Sequence, residues 1–116
     1  MIRLASAVVA VSLLAGCNRR DGATLGTVVA GASVPIASIQ NARVDSSALL
    51  HGTMTRKCPV AGCWFMLQDE TGTIKVDTKN AGFVVVDVPL NSRVTVAGRV
   101  ATNGAERFID ATGVRY

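Results

Sequence analysis

The sequence predicts an all-β domain, a small Greek-key barrel of five short strands that follows a leader and a tether. Three observations carry this expectation. Short apolar stretches alternating with polar residues recur from about residue 48 onward. Turn residues punctuate them at close intervals. The longest connection falls between the third and fourth stretches.

The first strand is expected over 48–58, with Gly52 inside it, and a mid-strand glycine marks a bulge or a sharp bend. A second strand over 64–68 ends in the turn Asp69-Glu70-Thr71-Gly72. Over 73–78, apolar Ile74 and Val76 alternate against Lys75 and Asp77, a third strand. Residues 79–91 make the long connection, with Gly82, an apolar run over 83–86 and Pro89. Alternation returns over 93–100 through Val94, Val96 and Gly98, and Asn103-Gly104 is a strong hairpin signal leading into a fifth strand over 106–114. Upstream, 34–43 contains Pro35, Ile36 and Ile39 and reads as a short helical or irregular cap. Residues 18–33 are small and polar with Gly22, Gly26 and Gly31, which reads as a flexible tether with a reach of about 20 Å.

With 116 residues there is room for one domain only. Its aromatic residues are Trp64, Tyr116, Phe65, Phe83 and Phe108, so the core must come mainly from Val, Ile, Leu and Ala. A domain of this size buries about 60 to 68 per cent of its unfolded-chain surface, enough to fold alone with little reserve. The formal charge is +4, or +3 without Arg3 of the leader. The basic residues are scattered, among them Arg43, Arg56, Lys57, Lys75, Lys79, Arg93, Arg99, Arg107 and Arg115, and read mostly as solvated surface rather than a polyanion track.

Five strands, the long third connection and the glycine-bent first strand resemble the OB-fold. The segment from Trp64 through Asp69-Glu70-Thr71-Gly72 to Val76 looks like the second and third strands of nucleic-acid-binding OB domains of the tRNA-anti-like type. Val94-Thr95-Val96-Ala97-Gly98-Arg99-Val100 looks like the fourth. Within this frame Gly52 to Leu67, with Cys58 and Gly62-Cys63-Trp64, is similar to a signature of the DUF4920-like exported bacterial OB proteins. That resemblance implies a fold and a location more than a mechanism.

The first seventeen residues carry one early positive charge, an apolar stretch from Leu4 to Leu14, and then Leu14-Ala15-Gly16-Cys17. These are the physical parts of an export signal, and the stretch is shorter than the roughly 20 residues that a membrane span needs. The last four residues resemble the lipobox of bacterial lipoproteins. The resemblance implies lipidation at Cys17 and cleavage before it, giving a signal peptide over 1–16, a lipidated cysteine and tether over 17–33 and the OB domain over 34–116. Asn18, in place of Asp, implies by enterobacterial sorting rules the outer membrane, facing the periplasm.

With Cys17 taken by lipid, Cys58 and Cys63 remain, an even pair in an oxidising compartment. They bracket the four-residue loop Pro59-Val60-Ala61-Gly62 and are expected to oppose each other across a hairpin. Opposed residues of a non-hydrogen-bonded pair sit about 4.5 Å apart at Cα, within the roughly 4.4 to 6.8 Å a disulfide needs. Such a bridge would contribute about 2 kcal/mol. Two further readings stay open. One is a soft metal or haem site, with copper the best match, in which Met54, Met66 and His51 join the thiolates; the other is a redox-active pair. Alternation places Met54, Cys58, Cys63, Phe65 and Leu67 on one face and Trp64, Met66 and His51 on the other.

With Phe65, Leu67, Ile74 and Val76 inward, Trp64, Met66, Gln68, Thr73, Lys75 and Asp77 point outward, on the face OB domains use for ligands. Trp64 beside Lys75 offers a stacking platform. One aromatic platform is few for a nonspecific single-strand binder, and nucleic acid is scarce in the cell envelope. Glycine-rich phosphate loops, nucleophile elbows, paired carboxylates and metalloprotease helices are absent from the sequence. The expectation is therefore a membrane-tethered, noncatalytic envelope module without a cofactor, binding a protein or small-molecule partner through Trp64, Met66, Gln68, Lys75 and Asp77. Copper carriage and oligonucleotide binding are the alternatives.

Overall fold

Strand alternation in this chain leaves one face of each strand apolar, and burying all five faces at once requires a closed sheet. The computed structural model describes residues 23–60 and 62–116; the leader, Cys17 and Ala61 lie outside them. Its elements are β1 (Thr24–Gly26), a 3-10 helix (Ile36–Asn41), β2 (Ser47–Lys57), β3 (Trp64–Asp69), β4 (Gly72–Asp77), a 3-10 turn (Lys79–Ala81), β5 (Arg93–Thr102) and β6 (Arg107–Arg115). The sheet order is β1-β6-β4-β3-β2-β5, and β5 pairs back onto β6. Strands β2 to β6 thus form a closed five-stranded barrel of OB type, antiparallel except for the parallel pair of β4 and β6 at Val76↔Ile109 and Asp77↔Asp110. Leu50, Met54, Phe65, Leu67, Val76, Val96, Ile109 and Val114 are fully buried inside it.

Closing so small a barrel demands strong local bending. The N-terminal half of β2 pairs with β5 and its C-terminal half with β3, the change of partner falling at Thr53. A Cβ on Gly52 would lie 2.6 Å from the Gln68 carbonyl oxygen, so only glycine admits that close approach. The bulge itself falls three residues later. Between Met54↔Leu67 and Arg56↔Met66 the register shifts, leaving Thr55 as the extra residue.

Both ends of the barrel are plugged. Ile36 and Ile39 of the 3-10 helix are buried at the end where β3 turns into β4. The Asp69 carboxylate holds that plug. Its Oδ2 accepts from Ile36 N at 3.0 Å, while Oδ1 accepts from Thr71 N at 2.7 Å and Gly72 N at 3.1 Å. At the other end Val85 and Val88 of the long connection are buried, and the Lys57 ammonium donates to the carbonyls of Val85, Val86 and Val88. Lys57 is therefore structural rather than solvated surface.

The tether reading needs correction at Thr24–Gly26. These residues form an edge strand on β6, with Thr24↔Arg115 and Gly26↔Gly113. A second register shift, opposite Ala97/Gly98, leaves Thr112 unmatched on β6. Its carbonyl accepts from Thr27 N at 2.9 Å, and Ala23 O accepts from Tyr116 N at 2.9 Å. Three residues without alternation carry no strand signal in the sequence; long-range backbone pairing supplies it. The cap expected over 34–43 is present as the 3-10 helix, and Asn103 N closes the β5–β6 hairpin on Glu106 O at 3.2 Å. Among the described residues no helix is long and apolar enough to cross a membrane.

Candidate functional site

Because Phe65 and Leu67 are drawn into the barrel, the residues between them must face out, and β4 obeys the same rule. The expected outer set is assembled by direct register: Trp64↔Asp77, Met66↔Lys75 and Gln68↔Thr73, with Arg56 opposite Met66 on the other side. Trp64 is half-buried. The Arg56 guanidinium carbon stands 6.0 Å from its ring centroid and the Lys75 ammonium 5.5 Å. Two cations on one indole are cation–π geometry, and they make this aromatic surface electropositive. Asp77 is already occupied. Its Oδ1 accepts from Lys79 N at 2.9 Å and its Oδ2 lies 3.5 Å from Lys79 Nζ.

One end of this face is bounded by the cysteine loop. The bulge at Thr55 corrects the expected pattern, because it returns Lys57 to a position opposite buried Phe65 and sets Cys58 opposite Trp64, with Cys58 N donating to Trp64 O at 2.9 Å. Cys58 therefore leaves the Met54 face, which a bulge-free alternation assigned to it. Even so the two sulfurs meet. Cys63 Sγ lies 3.5 Å from Cys58 Sγ, a thiol contact, against the roughly 2.05 Å of a disulfide. That contact, partial burial and the neighbouring sulfur raise the Cys63 pKa above the ordinary thiol value, outweighing a backbone hydrogen bond and the pull of Lys79.

The loop is braced from behind. Gly62 adopts φ 65°, where a Cβ would fall 2.9 Å from Val86 N. Its carbonyl accepts from Val85 N at 2.9 Å, and Cys63 O accepts from Thr78 N at 2.9 Å. The plug that Lys57 holds thus also holds the cysteine loop.

The ligand set of the metal alternative is dispersed. Met54 is fully buried in the core, Met66 lies between Arg56 and Lys75, and His51 sits on exposed β2 with Nδ1 2.8 Å from Thr95 Oγ1. Among the described residues no three His, Cys, Asp or Glu side chains gather as a metal site. Cys17 lies outside the described residues.

One feature escaped the sequence. An open polar groove of about 690 Å³ runs between residues 33–35 and the barrel, lined by His51, Thr53, Gln68, Asp69, Asn91 and Arg93 among others. Gln68 joins it to the Trp64 face. The groove depends on contacts across more than 30 positions, so no local signal announces it.

A family model described as bacterial OB fold (BOF) protein matches residues 16–116. The chain belongs to the BOF family. The match names the BOF family and does not extend to the DUF4920-like group. A solved structure, that of the hypothetical protein ygiW from E. coli, is similar to this BOF protein at TM-score 0.59 and 20% identity, covering 74% of this chain and 91% of that one. Likeness at that identity speaks for the fold alone. No curated protein matches the chain.

Proposed function

We propose that this BOF protein is a cell-envelope lipoprotein whose outer β3–β4 face binds a partner carrying negative charge beside an apolar or aromatic group. The observation that carries the reading is Trp64 flanked by Arg56 and Lys75 at 6.0 and 5.5 Å. An indole offers contact area, and the two cations favour an anion laid on it. The leader and the sequence Leu14-Ala15-Gly16-Cys17 support export and lipidation, and the family match begins at residue 16, beside Cys17. Acyl chains at about 0.8 kcal/mol per buried methylene would hold the domain on the periplasmic side of a membrane, with the outer membrane favoured in a Gram-negative host.

Cys58 and Cys63 form a disulfide after export in this reading. Sulfurs 3.5 Å apart need only a small rotation to bond. The two thiols would lose two protons and two electrons to a disulfide oxidant of the envelope. The bridge would then fix the loop that borders Trp64. Copper carriage has less support, since neither Met54 nor His51 joins the cysteines.

Trp64 is the chain's single tryptophan, so its emission reports on the face directly. The probe is 8-anilinonaphthalene-1-sulfonate, an anionic aromatic dye. Saturable quenching of Trp64 by the dye, weakened at least about tenfold by Arg56→Gln with Lys75→Gln, supports the reading. Equal dye affinity in wild type and Trp64→Ala, followed by dye emission, would overturn it. Quenching by a single-stranded oligonucleotide that falls steeply with salt would favour the nucleic-acid alternative instead. Intact mass of exported protein, two hydrogens below the dithiol, tests the bridge.

A further inference from the structure

The chain reaches the barrel at Ala23, whose carbonyl is bound by Tyr116 N. Five residues, or six Cα–Cα steps, separate that point from Cys17, and extended they span about 20 Å at most. If Cys17 is lipidated, the surface around Tyr116 is therefore never far from lipid headgroups. That surface has a definite composition. Arg115 pairs with Thr24 on one side and Thr95 on the other, and Thr95 pairs in turn with His51. Arg93 lies two residues from Thr95 on the same strand and so on the same face. Arg93, Arg115 and His51 are all exposed.

The side chains around Thr95 are thus two guanidinium groups, an imidazole and a hydroxyl. A guanidinium presents paired donors that match phosphate oxygens, and it is weakly hydrated. The groove that His51 and Arg93 border also carries acidic side chains. Asp69 is occupied by the backbone donors of the 3-10 plug and the turn, and Glu70 is exposed on the rim.

We propose that the outer surface around Thr95, with Arg93, Arg115 and His51, seats the anionic phosphate headgroups of the membrane that holds the lipid on Cys17. The inference rests on the anchor reading above. It assigns an orientation: the β2–β5–β6 side of the barrel lies on the bilayer, and Trp64, at the end of the β3–β4 face away from Gln68, remains open to the periplasm.

The test uses the lipidated mature protein on phosphatidylcholine vesicles with and without phosphatidylglycerol. Arginines are modified with phenylglyoxal and the adducts mapped by peptide mass spectrometry. Each basic side chain near an anionic surface is favoured enough to slow its reaction about fivefold. Arg93 and Arg115 should therefore react about fivefold more slowly on the anionic vesicles, the difference should vanish at high salt, and exposed Arg43 should not change. Equal rates on both lipids, or the same slowing at Arg43, overturn the proposal while leaving the anchor intact, provided the protein floats with the vesicles and carries the acyl mass. A protein without acyl mass that fails to float overturns the anchor reading and this proposal with it.

Discussion

The two ends of the barrel are closed by the same device with opposite charge. At the β3–β4 turn, one carboxylate gathers backbone N–H groups, tying Ile36 of the plug to Thr71 and Gly72 of the turn. At the other end, one ammonium gathers the backbone carbonyls of Val85, Val86 and Val88. A plug in a small barrel brings backbone groups that cannot all join the ladder, and a single charged side chain satisfies several at once. The difference lies in what each end carries. The Asp69 end holds the turn, the 3-10 helix and one wall of the polar groove, whereas the Lys57 end braces the cysteine loop beside Trp64. In the function proposed above, the Lys57 end borders the binding face and the Asp69 end does not carry Trp64.

Substitutions can separate the two. Ile39→Ala should cost most, about 2–5 kcal/mol, since it opens a cavity beneath the 3-10 plug; urea unfolding followed by Trp64 emission measures it, and dye affinity should not change. Lys57→Met should cost about 1.5–3 kcal/mol by leaving three carbonyls without their charged donor, and it should also weaken dye binding because the cysteine loop loses its brace. Loss of stability with unchanged affinity in Lys57→Met would break the distinction between the ends. Reduction of the proposed Cys58–Cys63 bridge should cost about 2 kcal/mol, read as a lower urea midpoint.

Asp69→Asn should cost least, about 1 kcal/mol, and its signature is pH dependence. Burial pushes the Asp69 pKa up, but hydrogen bonds from the Thr71 hydroxyl and from the backbone of Ile36, Thr71 and Gly72 outweigh it, leaving the folded pKa below the ordinary carboxylate value. A carboxylate depressed in the folded state contributes stability that is complete above its unfolded pKa, about 4, and is lost as pH falls through the folded value. Wild type should therefore lose stability on acidification below pH about 4 more steeply than Asp69→Asn.

Much of this was legible beforehand. The alternation of Ile74 and Val76 against Lys75 and Asp77, and the Asp69-Glu70-Thr71-Gly72 turn, locate β3 and β4 with their outer face, so the shared outward placement of Trp64, Met66, Gln68, Lys75 and Asp77 follows from the pattern. What escaped has one physical origin, distance along the chain. The bulge at Thr55 is set by the need to serve β5 and β3 at once, and it moves Cys58 to the opposite face from a uniform alternation. β1 forms by pairing with β6 at the far end of the chain, Thr24 with Arg115 and Gly26 with Gly113, and Thr112 extends the contact to Thr27. Lys57 reads as one more surface lysine until the connection folds back over it, and Arg107, likewise read as solvated, donates Nε to Ala42 O at 3.1 Å. Local patterning decides which face is buried; these longer contacts decide what the ends do.

The most direct measurement compares dye affinity at the face in two variants. The account expects Asp69→Asn to bind 8-anilinonaphthalene-1-sulfonate as wild type does, and the Arg56→Gln, Lys75→Gln pair to bind at least about tenfold more weakly. Equal losses in both, or none in either, would contradict the assignment of the Trp64 face as the working surface.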